Sequence, residues 1–431
     1  MLAPRVNQKV IQESMNRSFI TGILGPRRVG KSTLVKSLLQ DKAPYCQLNL
    51  DLIKEQQAIH NLSLRVVIEE KVHQKIGQSK IWVLIDEAQK YPEIFDEVKA
   101  LYDEFKDQDL LKFIITGSSQ LDIHQLSAES LAGRIELFQL QEFSLQETVN
   151  LVDASLPYQS VLDLILAQKF DLIEPRVNQL RLYRQELSSA LKLQLIWGGL
   201  PEVLQQDSDS DKIRYLANYL QTYLEKDVRS MGRIDIPVYQ KLLEVVAEQT
   251  GSLRDDKRLI DSIGIARDTL KKYRNYLSAT LVYTEVYPFI HQSLRRMVKS
   301  PKAYLLNNGL ISYLTGLDQL ALLEKSGQIG HRFENWFLKE LQITKSRHAR
   351  KIDIYYWRTH TGTEVDFVLS AKPNIYPFEV TYTQKIDSKK VKNLCHFMKE
   401  EGAEYGFYIY QGEFRYDAVN KIYFLPSFAI G

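Results

Sequence analysis

Largely apolar runs alternate with amphipathic stretches over the first third of the chain. The runs Phe19–Leu24, Ile81–Ile85 and Leu110–Ile115 each have the length of a strand that is buried on both faces, as in a parallel sheet. The stretch Thr33–Leu39 carries leucines at helical spacing. Strands that alternate with helices predict an α/β fold with a doubly wound parallel sheet for residues 17–147.

A glycine-bearing loop joins the first predicted strand to the helix that follows it. Residues 25–32 fit the pattern G-x-x-x-x-G-K-[ST], in which backbone N–H groups and the positive end of a helix dipole face a phosphate. Lys31 is expected to neutralise β- and γ-phosphate charge, and Ser32 to ligate Mg²⁺. A chance glycine turn is the alternative. The predicted nucleotide-binding residues are Gly25, Pro26, Arg27, Arg28, Val29, Gly30, Lys31, Ser32 and Thr33.

Two acidic residues, Asp86 and Glu87, follow the second apolar run. Open α/β sheets bind their ligands at the carboxyl ends of the strands, so we expect these acids near the glycine loop. We predict that Asp86 holds Mg²⁺, through water or through Ser32, and that Glu87 is the general base that polarises the attacking water. A solvated acidic turn is the alternative interpretation.

Four short motifs occur in a recognisable order, namely G-P-R-x-x-G-K-[ST], L-I-D-E-A-Q, T-G-S-S and L-A-G-R. In this order they resemble bacterial and archaeal ATP-binding proteins of the AAA superfamily. The resemblance implies that ATP is the nucleotide, that Mg²⁺ is the cofactor and that ATP is hydrolysed. It also implies that Ser118 or Ser119 orients water near the γ-phosphate, although serine is common in ordinary turns as well.

The last of these motifs ends in Arg134, which matches the arginine of the family. The resemblance allows two roles for it. Arg134 could reach a γ-phosphate, in cis or from a neighbouring subunit, as an arginine finger does. It could equally take part in a structural salt bridge. A homo-oligomer and a monomer therefore both stay open.

Composition and length are typical of a globular protein with more than one domain. A chain of 431 residues with 44% hydrophobic and 25% charged residues is expected to form two or three globular domains. No apolar run reaches eighteen residues and the amino terminus lacks an apolar core segment, so we predict neither a membrane span nor a signal peptide. Two cysteines, Cys46 and Cys395, without metal-binding spacing are typical of a cytoplasmic protein with reduced thiols.

Residues 236–300 predict a winged helix, with three helices followed by an alternating strand. On the third helix Arg267, Lys271 and Arg274 recur at helical spacing and share one face. Residues 251–300 contain ten Lys or Arg and five Asp or Glu, a local excess in a chain whose net charge is only +3. A basic recognition helix for double-stranded DNA is the functional interpretation. Packing or contact with a protein partner is the alternative.

The last hundred residues resemble the restriction-endonuclease-like fold, with Glu334, Asp366 and Glu379 at the positions of its acids. That resemblance implies an Mg²⁺ site, but Thr381 stands where the lysine belongs, and Lys385 is the nearest substitute. We therefore favour a degenerate nuclease fold used for binding or assembly. An active Mg²⁺-dependent nuclease and a chance resemblance are the alternatives. Before this region, residues 301–310 resemble a family motif P-K-x-Y-x-x-D-x-G-L, with asparagine at its Asp position.

The whole chain is thus predicted to have four parts with one principal activity. The parts are a P-loop core at 1–147, a helical lid or connector at 148–235, a winged helix at 236–300 and a small α/β domain at 301–431. The predicted function is an ATP-hydrolysing switch or motor whose carboxy-terminal half contacts DNA or a protein. An ATP-regulated nuclease and a non-catalytic nucleotide-sensing scaffold are the alternative functions.

Overall fold

The structure is a computed structural model that describes residues 4–17, 20–42, 44–118, 130–151, 156, 160–290 and 299–431. The chain divides into two compact units. The amino-terminal unit contains Arg5–Gln141 together with Ala279–Leu281, and the carboxy-terminal unit contains Glu142–Ser278 and Val282–Gly431. Among the helices of the described ranges, none combines the length and the apolar character that a bilayer crossing requires.

The amino-terminal unit is built on a parallel five-stranded sheet of order β2-β3-β4-β1-β5. Its strands are β1 (Ile20–Leu24), β2 (Tyr45–Asn49), β3 (Ile81–Asp86), β4 (Leu111–Gly117) and β5 (Ile135–Gln139). Its helices are α1 (Gln8–Met15), α2 (Lys31–Leu39), α3 (Ile53–Leu62), α4 (Leu64–Val72) and α5 (Ile94–Phe105). Every residue of β1, β3 and β4 is buried, which is why these strands read as largely apolar runs. The predicted parallel α/β fold is confirmed.

The carboxy-terminal unit begins with helices, as predicted. They are α6 (Leu145–Val149), α7 (Val161–Leu166), α8 (Ile173–Leu180), α9 (Arg184–Trp197), α10 (Pro201–Leu204) and α11 (Asp209–Thr222), followed by a π-helical segment at Tyr223–Val228. Helix α9 ends because Gly198 has a φ of 69°, which favours glycine. Helix α10 begins at Pro201, because proline is well tolerated in the first helical turn.

Three helices and three short strands come next. They are α12 (Ile236–Glu248), β6 (Ser252–Leu253), α13 (Asp256–Ile263), α14 (Arg267–Ala279), β7 (Tyr283–Pro288) and β8 (Lys302–Leu305). Strand β8 pairs antiparallel with both β6 and β7. Strand β7 also pairs in parallel with the first strand of the following domain, so these strands join a larger sheet.

That larger sheet has nine strands in the order β13-β14-β12-β11-β10-β9-β7-β8-β6. The remaining strands are β9 (Asp353–Arg358), β10 (Glu364–Ala371), β11 (Asn374–Val380), β12 (Gly406–Tyr410), β13 (Arg415–Asp417) and β14 (Ile422–Pro426). The helices are α15 (Asn308–Thr315), α16 (Leu320–Lys325), α17 (Ile329–Arg347) and α18 (Ser388–Glu401). Parallel and antiparallel pairs coexist, so the domain has a mixed sheet.

Candidate nucleotide-binding site and charged clusters

The glycine loop leaves the carboxyl end of β1 at a point where no side chain fits. The N–H of Leu140 donates to the carbonyl of Leu24 at 2.7 Å. A Cβ atom at Gly25 would lie 2.2 Å from the carbonyl oxygen of Leu140. At the other end of the loop, Gly30 has a φ of 92° and precedes α2. Both glycines therefore follow from backbone geometry, and the loop opens at the amino end of a helix.

Lys31 is the first residue of α2 and its side chain folds back over the loop. Its ammonium group donates to the carbonyl oxygens of Gly25 at 2.9 Å and Pro26 at 3.0 Å. The side chain is buried, because the loop closes around it. The predicted cation therefore lies inside the curl of the loop, where an incoming phosphate would compete with carbonyl oxygens for it.

Arg5 fixes the same loop from outside, and the sequence analysis missed it. Its guanidinium donates to the carbonyl of Val29 at 2.7 Å and to the carbonyl of Gln141 at 2.6 Å. The loop is thereby joined to the residues that follow β5. A single arginine 20 residues before the loop carries no local signal, so only the tertiary contact reveals it.

Asp86 ends β3, which lies between β2 and β4, and its carboxylate reaches Ser32 at the start of α2. Its Oδ2 accepts a hydrogen bond from Ser32 Oγ at 2.7 Å, and its Oδ1 accepts one from Thr116 Oγ1. Thr116 lies on β4, the strand next to β3. Hydroxyl and carboxylate oxygens are ligands that Mg²⁺ accepts in phosphate sites, so the donor set fits the ion.

Glu87 lies at the next position and is held by two polar neighbours. Ser118 Oγ donates to its Oε2 at 3.0 Å, and the Gln89 amide donates to the same oxygen at 2.6 Å. The backbone of Glu87 has a φ of 55°, an uncommon conformation for a side-chain-bearing residue that separates its direction from that of Asp86. Ser118 thus contacts Glu87, whereas Ser119 lies outside the described residues. Gln89, in the motif L-I-D-E-A-Q, was not predicted.

Arg134 lies away from this group. Its Nε and Nη2 donate to the two carboxylate oxygens of Asp103 at 2.8 and 2.9 Å. The N–H of Ile20, at the start of β1, donates to the carbonyl of Arg134 at 2.8 Å. Arg134 therefore borders the amino ends of the strands, whereas Gly25 follows their carboxyl ends. Its hydrogen bonds hold the pKa of Asp103 below the usual range.

A second polar cluster, in the carboxy-terminal unit, surrounds the Gly198–Gly199 interruption. The N–H of Gly199 donates to Glu142 Oε2 at 2.8 Å, and the Asn307 side-chain amide donates to the other oxygen. Asn307 Oδ1 also accepts from the N–H of Leu310 at 2.5 Å and caps α15. Asparagine at this position therefore supplies a donor that an ionised aspartate lacks. Burial raises the pKa of Glu142, and Lys339 opposes that shift.

The predicted acids of the last domain do come together, with lysines that the sequence analysis did not identify. Lys390, on α18, donates to Asp366 Oδ2 at 3.0 Å and lies 3.1 Å from Glu379 Oε2. Lys302, on β8, donates to Glu334 Oε1 at 3.0 Å. Thr381 supplies no cation, and the Lys385 side chain is exposed.

The two lysines change how these acids ionise. Burial raises the pKa of Asp366, but Lys390 and Lys302 outweigh it and hold that pKa at about 2. Burial, and then the charge of Asp366, raises the pKa of Glu379 well above its usual range. Within the described ranges, no group of three or more acidic, histidine or cysteine side chains is arranged to hold a metal ion.

The basic face of α14 is divided between solvent and internal ion pairs. Arg267 and Lys271 are exposed. Arg274 has only 14% of its side chain exposed, and its guanidinium lies 2.6 Å from Asp256 and 3.4 Å from Glu285. Of the three predicted DNA contacts, the first two are the ones that an external partner could reach.

The amino-terminal unit has the features that define a P-loop nucleotide-binding domain. They are a buried strand, a glycine loop, a helix start with lysine and serine, and a carboxylate at the end of another strand of the same sheet. In agreement, residues 17–149 match the family described as an AAA domain. Residues 188–321 and 329–429 match two families described as domains of unknown function, DUF8612 and DUF4143.

Two curated proteins match over most of the chain. The chain is 25% identical over 420 residues to the uncharacterized protein Rv2008c of Mycobacterium tuberculosis and, equally, to the uncharacterized protein Mb2031c of Mycobacterium bovis. Each alignment covers 97% of this chain and 82% of the relative.

Solved structures match over most of the chain at low similarity. The Walker-type ATPase PABY2304 of Pyrococcus abyssi matches at 17% identity with a TM-score of 0.47, over 72% of this chain and 95% of its own. The Aeropyrum pernix ORC2 protein in its ADP form matches at 13% identity with a TM-score of 0.33, over 75% of this chain and 95% of its own. Both TM-scores are below one half.

Proposed function

We propose that this protein is an Mg²⁺-dependent ATPase of the AAA type. The observation that carries the proposal is the convergence of Lys31, Ser32, Asp86 and Glu87 at the carboxyl edge of one parallel sheet. The match of residues 17–149 to an AAA domain supports it. Few other uses require a buried lysine inside a glycine loop next to a serine–aspartate pair.

Each of these side chains has a distinct role in the proposed reaction. Loop N–H groups and Lys31 bind the β- and γ-phosphates. Ser32 and Asp86 would hold Mg²⁺, which would neutralise phosphate charge when bound. Glu87 accepts a proton from the attacking water, and Ser118 and Gln89 fix the direction of its carboxylate. The hydrogen bonds already present in the chain keep these groups oriented, which limits the reorganisation that the reaction requires.

We further propose that α12–α14 and β6–β8 form a winged helix that contacts double-stranded DNA. Support comes from the element order helix, strand, helix, helix, strand, strand, and from the antiparallel order β7-β8-β6. The exposed Arg267 and Lys271 on α14 supply charge for phosphate contacts. ATP hydrolysis would then act as the switch for DNA contact. A protein partner is the alternative occupant of this surface.

ATP turnover by the purified chain, with and without double-stranded or single-stranded DNA, tests both proposals. Lys31→Ala is expected to lower turnover by about 100-fold or more, because the phosphate charge loses its main cation. Lys36→Ala is the matched control, since Lys36 is exposed on the same helix. Normal turnover in Lys31→Ala would refute the ATPase site. ATP turnover that does not change when DNA is added would be consistent with the ATPase proposal but would contradict the DNA proposal, and would favour a protein partner.

A further inference from the structure

Lys302 lies among three carboxylates that come from two other elements, a helix and a strand. Its ammonium nitrogen is 3.0 Å from Glu334 Oε1 on α17, 2.6 Å from Glu364 Oε1 and 4.0 Å from Asp366 Oδ1, both on β10. Tyr304, two residues along β8 and therefore on the same face, also donates to Glu334. Only 6% of the Lys302 side chain is exposed.

A divalent cation does not fit this cluster as it stands. Mg²⁺ requires oxygen ligands at about 2.1 Å and keeps several waters. The ammonium of Lys302 already occupies the space between the three carboxylates, within hydrogen-bond distance of two of them. The Lys302 ammonium group and a divalent cation could not occupy this space together, because their positive charges would repel each other strongly. The residues therefore disagree with the Mg²⁺ site that the restriction-endonuclease resemblance implies.

We propose that Lys302 takes the place of a divalent cation in this carboxylate cluster. The cluster is then an internal lock that holds β8 against α17 and β10 through ion pairs. It becomes a metal site only when Lys302 is withdrawn or removed. The inference is independent of the ATPase proposal, because none of its residues lies in the amino-terminal unit.

Every acid of the cluster is paired with a basic side chain of the protein. Lys390 neutralises Asp366 from the far side and also donates to the carbonyl of Val380 at 3.1 Å. Arg358 Nη1 lies 3.6 Å from the second oxygen of Glu364. Glu379 is only 1% exposed, and its Oε2 lies 3.1 Å from the same Lys390. Each of these acids is therefore already within ion-pair distance of a cation that the chain itself supplies.

The position of Lys302 in the fold explains how the lock could open. Lys302 begins β8, which pairs with β7 over four residues and with β6 over two. A displacement of this short strand would remove one cation from three buried acids. Because uncompensated buried carboxylates repel each other, a free divalent cation would then bind in its place.

Mn²⁺ titration by calorimetry tests the proposal, with the nucleotide-free wild-type chain compared with Lys302→Met. Methionine keeps much of the volume of the side chain and removes its charge. We expect Lys302→Met to gain one Mn²⁺ site with at least ~10-fold tighter affinity than wild type. That gain should disappear in Lys302→Met combined with Asp366→Asn. Lys299→Met, at an exposed lysine just before β8, is the matched control and should gain no site.

Two results would overturn the inference. One is an Asp366-dependent Mn²⁺ site in the wild-type chain, which would make the cluster a metal centre. The other is a folded Lys302→Met protein that binds no additional Mn²⁺. If Lys302→Met does not fold, the melting temperature of the wild-type chain is measured with and without Mn²⁺. An increase with Mn²⁺ that Asp366→Asn abolishes would contradict the proposal. No increase with Mn²⁺ would support it.

Discussion

The hydroxyl of Ser32 donates a hydrogen bond of 2.7 Å to Asp86, although the two residues are 54 positions apart in the chain. Thr116 holds the second oxygen of the same carboxylate from the neighbouring strand. The serine of the glycine loop and the acid at the end of β3 are therefore already aligned. Such alignment reduces the reorganisation needed when a nucleotide and its metal ion bind.

Glu87→Gln should separate nucleotide binding from hydrolysis. Glutamine keeps the size of the side chain but cannot accept the proton of the attacking water. We expect turnover to fall by about 100-fold or more while ATP affinity changes little. Phosphate release and fluorescent-nucleotide binding measure the two quantities. Glu93→Gln, at an exposed acid six residues on, is the control, and undiminished turnover in Glu87→Gln would exclude Glu87 as the base.

Arg134 and Asp103 provide a test of the arginine-finger hypothesis. The bidentate pair favours a structural role, in which Arg134→Ala and Asp103→Ala each change turnover by less than about threefold, since exposed ion pairs contribute little. A finger residue would instead lower turnover by about 10³-fold or more on its own. Steady-state turnover at several protein concentrations distinguishes the roles. A large loss in Arg134→Ala with none in Asp103→Ala would establish the finger, and concentration dependence would place it in trans.

The basic residues of α14 should differ in their roles: Arg267 and Lys271 should affect DNA binding, and Arg274 should affect stability. Arg267→Ala combined with Lys271→Ala is expected to weaken duplex DNA binding by about 10-fold near 0.1 M salt and to reduce the salt slope by roughly 1–2. Arg274→Ala should instead destabilise the fold by about 1–3 kcal/mol, because Asp256 and Glu285 lose a partner. Fluorescence anisotropy and urea unfolding measure these effects. Lys241→Ala, at an exposed lysine on α12, is the control.

If the double alanine variant binds DNA as well as Lys241→Ala does, α14 is not the contact surface. If Arg274→Ala binds DNA more weakly but unfolds with the same free energy as wild type, Arg274 acts in DNA binding and not in internal ion pairs. Either result would contradict the division of this face between solvent and core.

Glu340 should make the stability of the carboxy-terminal unit depend on pH. Burial raises the pKa of Glu340 to about 7 from an ordinary value of 4.5, and Lys339 opposes this shift. A carboxyl group with a higher pKa in the folded chain binds its proton more tightly there than in the unfolded chain. Its contribution to stability is therefore present below pH 4.5 and is lost as the pH rises towards 7, by up to ~3 kcal/mol.

Glu340→Gln removes that dependence and keeps the carbonyl oxygen that accepts from the N–H of Leu145 at 2.9 Å. The free energy of unfolding in urea, measured from pH 4.5 to 8, should fall with pH more steeply in wild type than in Glu340→Gln. Glu186→Gln, at an exposed acid on α9, should follow the wild-type curve. Parallel curves for wild type and Glu340→Gln would show that this carboxyl group does not have a raised pKa.

Local pattern predicted much of the amino-terminal unit, for a physical reason. A strand buried on both faces must be apolar, so β1, β3 and β4 are visible as runs. A loop that curls around phosphate needs Gly25 and Gly30 for close approach and left-handed backbone, so it is visible as a motif. Asp86 and Glu87 follow because ligand sites lie where parallel strands end.

The sequence by itself therefore determined the α/β fold, the glycine loop and the acids at the strand end, because each depends on neighbours in the chain. Only the tertiary structure decided which charges pair. Helical spacing placed Arg274 with Lys271, but Asp256 and Glu285 take its guanidinium out of solvent. Likewise Lys302 and Lys390 reach the acids from β8 and α18, at separations that no local motif encodes. Ion pairs act through space, and only folding brings such distant residues to bonding distance.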